Sequence, residues 1–319
     1  MTDTVREEFT FTSADGKTPI HAIAWLPENE AAQKPRGIVQ LAHGMEEYIG
    51  RYDDFARFLV GNGFAVCGND HIGHGQSVSD EVALSHLPLN GASVMLNDMH
   101  TLRTQFSAHF PESTPYILFG HSMGSFAARC YLARFGKGLA GAIICGTGDV
   151  PVAASRFGGF LARRMAAKNG LDSYSPFITS LSDGKYGKAI PLARTNFDWL
   201  NTDPAQVDEY INDPLCGVAF TVGGYASLMD LTAEACSTSC AQHAPSGLPV
   251  LFISGEEDPV GGPNAKGVMA ADERYAKNSD TLPTIKIYPG MRHEILKEPE
   301  HEKVYADVLM WLDEVVGKL

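Results

Sequence analysis

The sequence has no apolar run approaching 18 residues, and its start, Met1-Thr-Asp-Thr-Val-Arg-Glu-Glu, carries no apolar segment of the signal-peptide kind. A transmembrane span and secretory export are therefore not expected, and a cytoplasmic location is. Positive charge is scarce: 25 Lys and Arg against 38 Asp and Glu leave a net charge of −13. So acidic a chain lacks the basic face that nucleic acid, or strong adhesion to anionic lipid, would require. The six cysteines (67, 130, 145, 216, 236 and 240) are scattered, mostly through apolar segments. They read as buried free thiols, and the pair Cys236 and Cys240 has no second pair to complete a zinc site. No repeat or low-complexity tract is visible.

What the chain does have is an alternation of short apolar strands and helices. Glu7–Thr12 and Ile20–Leu26 read as an opening hairpin, and the later strands as Gly37–Ala42, Phe64–Cys67, Tyr116–Phe119, Leu139–Cys145, Leu248–Ser254 and Thr284–Tyr288. Helices are expected from about Gly50 to Gly61, Val94 to His109, Ser125 to Phe135 and Glu300 to Val316. This is an α/β pattern, a mostly parallel sheet covered on both faces, with its ligand crevice at the carboxyl ends of the strands. One region breaks the rhythm. From about Asp149 to Gln242 no strand is convincing, so residues 149–242 are read as a helical cap inserted into a core of 1–148 and 243–319.

The chemistry centres on Gly120-His121-Ser122-Met123-Gly124. A lone Gly-x-Ser-x-Gly pattern is weak, but here a strand precedes it and a helix follows. That context makes a nucleophile elbow, which presents Ser122 on a sharp turn between its two glycines. Serine needs a base, and the base an orienting carboxylate, in the chain order Ser, Asp or Glu, His. After the strand ending at Ser254 comes Gly255-Glu-Glu-Asp258-Pro-Val260, and after Tyr288 comes Pro289-Gly-Met-Arg-His293. Both follow strand carboxyl ends. His243, in a polar linker, and His301, in the last helix, do not compete with His293. Asp258 is preferred over Glu256 and Glu257 for its Asp-Pro-Val setting. Oxyanion donors are expected at the backbone amides of Met123 and of Met45, the latter in the His43-Gly44-Met45 loop after the third strand.

These segments, with Asp70-His-Ile-Gly-His-Gly-Gln-Ser77 and Glu46 to Tyr52, resemble the α/β-hydrolases of the monoacylglycerol lipase and lysophospholipase group, the serine aminopeptidase S33-like branch. The resemblance spans about 5–148 and 245–317. It implies Ser122, Asp258 and His293 as a triad, Met45 and Met123 as oxyanion donors, no cofactor, and a cap shaping a lipophilic tunnel for one acyl chain. It also implies that His71 and His74 belong to a structural turn rather than a metal site. Members commonly carry His where this chain has Tyr48, a departure at the mouth of the site.

The expected substrate is a small-molecule or lipid ester; oligomeric state is left open. Tyr48, Phe157, Phe160, Leu161, Phe197, Trp199, Phe220 and Tyr225 are candidate pocket residues. Phe157, Phe160, Leu161 and Met165 share one helical sector with Arg164 and Lys168. That sector is read as packed on the core with snorkelling bases, in preference to a lid resting transiently on a membrane surface. An amidase or aminopeptidase would use the same triad, and Asp203, Asp208, Glu209 and Asp213 could meet a substrate amine. A short-chain carboxylesterase is a further alternative. A silent ligand-binding relative would usually have lost a triad member, and a haloalkane dehalogenase would need Asp at position 122.

Overall fold

The computed structural model describes residues 4–28, 34–79, 82–181 and 183–318. β1 (Thr4–Thr12) and β2 (Pro19–Pro27) form the opening hairpin, and β3 (Ile38–Ala42) follows. A 3₁₀ turn (Ile49–Tyr52) runs into α1 (Asp53–Gly61), then come β4 (Ala65–Asn69), α2 (Gly91–Ser107), β5 (Tyr116–His121), α3 (Met123–Phe135) and β6 (Gly141–Cys145). A helical stretch holds α4 (Val152–Asn169), α5 (Pro176–Leu181), α6 (Pro204–Asn212), α7 (Val222–Ala235) and α8 (Thr238–His243). The chain closes with β7 (Val250–Gly255), α9 (Lys266–Ala276), β8 (Thr284–Tyr288) and α10 (His301–Val316).

The eight strands make one sheet in the order β1-β2-β4-β3-β5-β6-β7-β8, antiparallel at β1, β2 and β4 and parallel from β4 onward. Alternate residues of the central strands serve opposite faces. Val39, Leu41, Ile117 and Phe119 pack against Phe55 and Leu59 of α1 and Val308 and Leu312 of α10. Leu118, Ile144 and Phe252 meet Met99 of α2, Ala127 and Tyr131 of α3 and Val268 of α9. With both faces covered, the strands can be apolar throughout, as their burial requires.

Two details differ from the expectations of the sequence. Helix α9 was not expected, because only Val268, Ala271 and Tyr275 give it a buried face. His243 ends α8 instead of lying in a linker. As expected, no strand lies between β6 and β7 among the described residues; Leu200, Tyr210 and Cys216 of that stretch form a small buried cluster, while other residues join the main core. Phe220, Val222, Tyr225 and Leu231 share one apolar cluster with α2 and α3. All six cysteines are free and buried, and no described helix is long and apolar enough to cross a membrane.

Candidate active site

Ser122 is the only residue between β5 and α3. Its backbone sits at φ 52°, ψ −120°, a conformation that costs an L residue of order 1–3 kcal/mol. Local hydrogen bonds hold it: its N–H donates to the Cys145 carbonyl (3.0 Å), and its carbonyl accepts from the Ser125 N–H (2.8 Å) and hydroxyl (2.6 Å). The flanking glycines are there for close approach. A Cβ on Gly120 would stand 2.2 Å from the Gly124 carbonyl oxygen, and one on Gly124 2.1 Å from that of Ala42.

Parallel pairing of β7 with β8 sets the loops carrying Asp258 and His293 side by side. The amides of Glu256 and Glu257 donate to the carbonyls of Tyr288 (2.9 Å) and Met291 (3.0 Å). Asp258 and His293 are both buried, and His293 Nδ1 lies 2.9 Å from Asp258 Oδ2. The other carboxylate oxygen accepts from the Val260 N–H at 2.9 Å. A carboxylate accepts only, so Nδ1 carries the proton and Nε2 is left basic. Glu256 and Glu257 are exposed, which leaves Asp258 as the acid in contact with the histidine.

The loop after β3 closes on Ser122: a Cβ on Gly44 would lie 3.1 Å from the Ser122 Cβ. His43 braces that loop. Its Nε2 accepts from the His71 N–H (2.9 Å) while Nδ1 donates to the Gly44 carbonyl (2.7 Å). Burial pulls the His43 pKa down to about 3, so it is neutral. Burial likewise holds His71 and His74 low. Their rings pack with His43 at centroid distances of 4.2 and 5.2 Å. No group of three or more possible metal-ligating residues is gathered among the described residues.

Beneath the site lies a charged network that the sequence patterns did not reveal. Glu47 Oε1 accepts from the Gly44 N–H (2.6 Å) and the Tyr52 hydroxyl (2.8 Å). Arg51 bonds Glu47 (2.8 Å) and forks onto both oxygens of Glu294 (2.5 and 2.9 Å). His121 lies 3.3 Å from Glu47 Oε1 through Nδ1 and 3.2 Å from the His293 carbonyl oxygen through Nε2. Burial works against charge on both, but their mutual attraction prevails: the Glu47 pKa falls well below the usual carboxylate value and that of His121 rises. The Ser122 turn, the loop after β3 and the loop carrying His293 are thus joined by one hydrogen-bonded cluster. The one signal in the sequence is the spacing of Glu47 and Arg51, four apart in a loop.

A cavity of about 580 Å³ opens over this apparatus, and Met45, His121, Ser122, Met123 and His293 all line it. Of the pocket candidates, Phe157, Leu161, Phe197 and Trp199 line it. The Trp199 ring packs on His293 at 4.9 Å, held by its neighbour Leu200, whose carbonyl accepts from the Glu294 N–H (2.7 Å).

The other four need correction. Phe220 and Tyr225 are wholly buried, packed on each other in the core at 5.8 Å. Phe160 points to solvent. Tyr48 donates to Asp213 (2.9 Å) and borders a separate depression beside Arg51. The orientation of α4 is corrected too. It packs on α7 through Ser155, Gly159, Ala162 and Ala166, because small residues let two helices approach closely. Phe157 and Phe160 are left 67% and 59% exposed.

The chain is similar to known proteins. The family described as serine aminopeptidase, S33, matches residues 33–300. The chain belongs to that family. It is 28% identical to a monoacylglycerol lipase of Mycolicibacterium smegmatis over 98% of its own length and 99% of the relative's. Human monoglyceride lipase is 28% identical, over 88% and 83% of the two chains. Among solved structures, a thermostable carboxyl esterase from Bacillus coagulans in complex with glycerol superposes with a TM-score of 0.87 at 28% identity, covering 98% and 99%. The fold is the α/β-hydrolase fold.

Proposed function

We propose that this member of the S33 family is a serine carboxylic-ester hydrolase acting on monoacylglycerol-like or lysophospholipid-like single-chain esters. Residues 149–242 serve as its cap. The observation that carries the reading is one cavity, apolar over most of its wall, into which Ser122, His293, Met45 and Met123 all open. Ser122 attacks the ester carbonyl while His293 Nε2 takes its proton, and Asp258 stabilises the resulting imidazolium. The amides of Met45 and Met123 receive the oxyanion. The alcohol departs with the proton from His293, and water activated by the same nitrogen releases the fatty acid. The cycle uses only these side chains and water, and the reading includes no cofactor.

Similarity to monoacylglycerol lipases supports this over an aminopeptidase, and so does the placement of the four acids that could meet an amine. Asp203 caps α6, Asp208 pairs with Arg194, and Glu209 and Asp213 border the depression beside Tyr48. None of the four lines the cavity. A panel of monoacylglycerols of rising chain length, a lysophospholipid, short aryl esters and an aminoacyl anilide tests the reading. Hydrolysis should peak on a monoacyl ester; cleavage of the anilide alone would overturn it.

The cap's outer face supports transient contact with a lipid surface. Phe157, Phe160 and Phe177 are exposed there with Arg164 and Lys168 nearby in sequence, and Leu192 is fully exposed. Replacing Phe160 and Phe177 together by serine should slow turnover of long-chain monoacylglycerol in phosphatidylcholine vesicles about tenfold. Hydrolysis of a dissolved short-chain ester should hold. Equal rates on vesicles would remove the cap from surface binding.

A further inference from the structure

Trp199 packs on His293 and lines the cavity, and its loop is fastened to the loop carrying His293 from both sides. Arg292 Nη1 donates to the carbonyls of Asp198 (2.7 Å) and Asn201 (3.0 Å). The Glu294 N–H donates to the Leu200 carbonyl (2.7 Å). Glu298, itself buried, accepts from the N–H groups of Thr202 (3.1 Å) and Arg292 (2.8 Å) and from the Thr202 hydroxyl. Burial raises the Glu298 pKa even against these bonds, so the clamp is costly to keep. Residues flanking Trp199 are thus bonded to residues flanking His293, and the two rings are held together before any substrate arrives.

In the proposed reaction Ser122 Oγ bonds to the ester carbonyl carbon, the carbonyl π pair moves onto oxygen, and the Oγ proton passes to His293 Nε2. The imidazole becomes a cation at that moment and not before. Asp258, His121 and Trp199 all meet its ring. Asp258 accepts from Nδ1 at 2.9 Å. The His121 ring lies 4.6 Å away; burial works against charge on it, but its bond to Glu47 prevails and its pKa rises. A neighbour that takes on charge repels a second imidazolium. The Trp199 ring lies 4.9 Å away, its plane at 42° to the imidazole. That separation is inside the roughly 6 Å within which indole, the best of the aromatic rings in this respect, attracts a cation. A neutral imidazole gains far less from the same contact, so the attraction favours the transition state over the resting enzyme.

We infer that Trp199 is a positioning residue for this reaction: its π system stabilises the imidazolium that His293 forms on taking the Ser122 proton. The inference rests on the ester-hydrolase reading and adds to it the group that counters the repulsion from His121. Fluorination tests it, because fluorine draws electron density from the indole face while changing its size little and making it more apolar. The chain has three tryptophans, Trp25, Trp199 and Trp311. Trp25 and Trp311 are buried and do not line the cavity. The full chain is made with mono-, di- and trifluorotryptophan in place of tryptophan. Values of kcat/KM are then measured on 1-monodecanoylglycerol and p-nitrophenyl butyrate, where the rate no longer changes with pH.

With each added fluorine kcat/KM should fall about twofold, whereas a ring that only fills space predicts rates unchanged or raised. Trp199→Phe carrying the same labels at Trp25 and Trp311 should show no such fall. Without label, Trp199→Phe should be about threefold slower than the wild type and Trp199→Leu about thirtyfold, since leucine keeps apolar bulk but has no ring. The labelled wild type carries no substitution, so its reading does not depend on how the variants fold. Flat or rising rates in the labelled wild type overturn the proposal, and so does an equal fall in labelled Trp199→Phe. If the unlabelled wild type cleaves neither ester, the ester-hydrolase reading falls and the proposal with it.

Discussion

Replacing Ser122 with alanine should lower kcat on the preferred ester by about 10⁴- to 10⁶-fold, the range seen when a member of such a triad is removed. The residual rate would come from the oxyanion donors and from substrate positioning, so affinity for the uncleaved ester should change little. Ser122→Gly separates chemistry from backbone. It should be as inactive as the alanine variant, yet it relieves the strain at φ 52°, ψ −120°. That strain, about 1–3 kcal/mol, outweighs the roughly 1 kcal/mol that glycine loses through chain entropy. The glycine variant should therefore melt no lower than the wild type. Full activity in either variant would remove Ser122 from the nucleophile's role. A lower melting point for Ser122→Gly would mean that the elbow stores no strain.

Ser122 is legible in the amino-acid sequence because a parallel sheet leaves a plain pattern there. A strand buried on both faces is a short apolar run, and the loops carrying chemistry leave its carboxyl end. Ser122 and Asp258 stand just past such runs, whereas His293 follows β8, an edge strand exposed over most of its length; the fold sets Asp258 and His293 in contact and opens Ser122 and His293 into one cavity. The cap is less legible because its burial is decided by distant partners. Phe220 and Tyr225 have no local periodicity that says whether they face a cavity or α3. Helix α4 misleads for a definite reason. Large apolar side chains usually turn inward, but here close packing on α7 selects Ser155, Gly159, Ala162 and Ala166 for the inner face. The charged cluster is hidden too, since Glu294 meets Arg51 from 243 positions away.

That cluster should make Arg51 the most costly position to truncate near the site. Its side chain is 9% exposed, and those of Glu47 and Glu294 are 4% and 6%. Arg51→Ala would leave two buried carboxylates without their cation, a loss of about 3–5 kcal/mol. For a chain of this size the melting midpoint should fall by about 6–10 °C. Arg51→Lys should lose nearly as much, because one ammonium cannot reproduce the fork onto both oxygens of Glu294. The damage should reach catalysis, since Glu294 is joined to His293 and Glu47 bonds the Gly44 amide and contacts His121. The decisive comparison is Arg51→Met made together with Glu47→Gln and Glu294→Gln. Removing all three charges takes away the uncompensated burial and should recover most of the stability lost in Arg51→Ala. It removes the hold on the base loop as well, so kcat should stay low. Recovery of stability and kcat together would mean that the cluster only fills space; recovery of stability alone identifies its charges as what positions the catalytic loops.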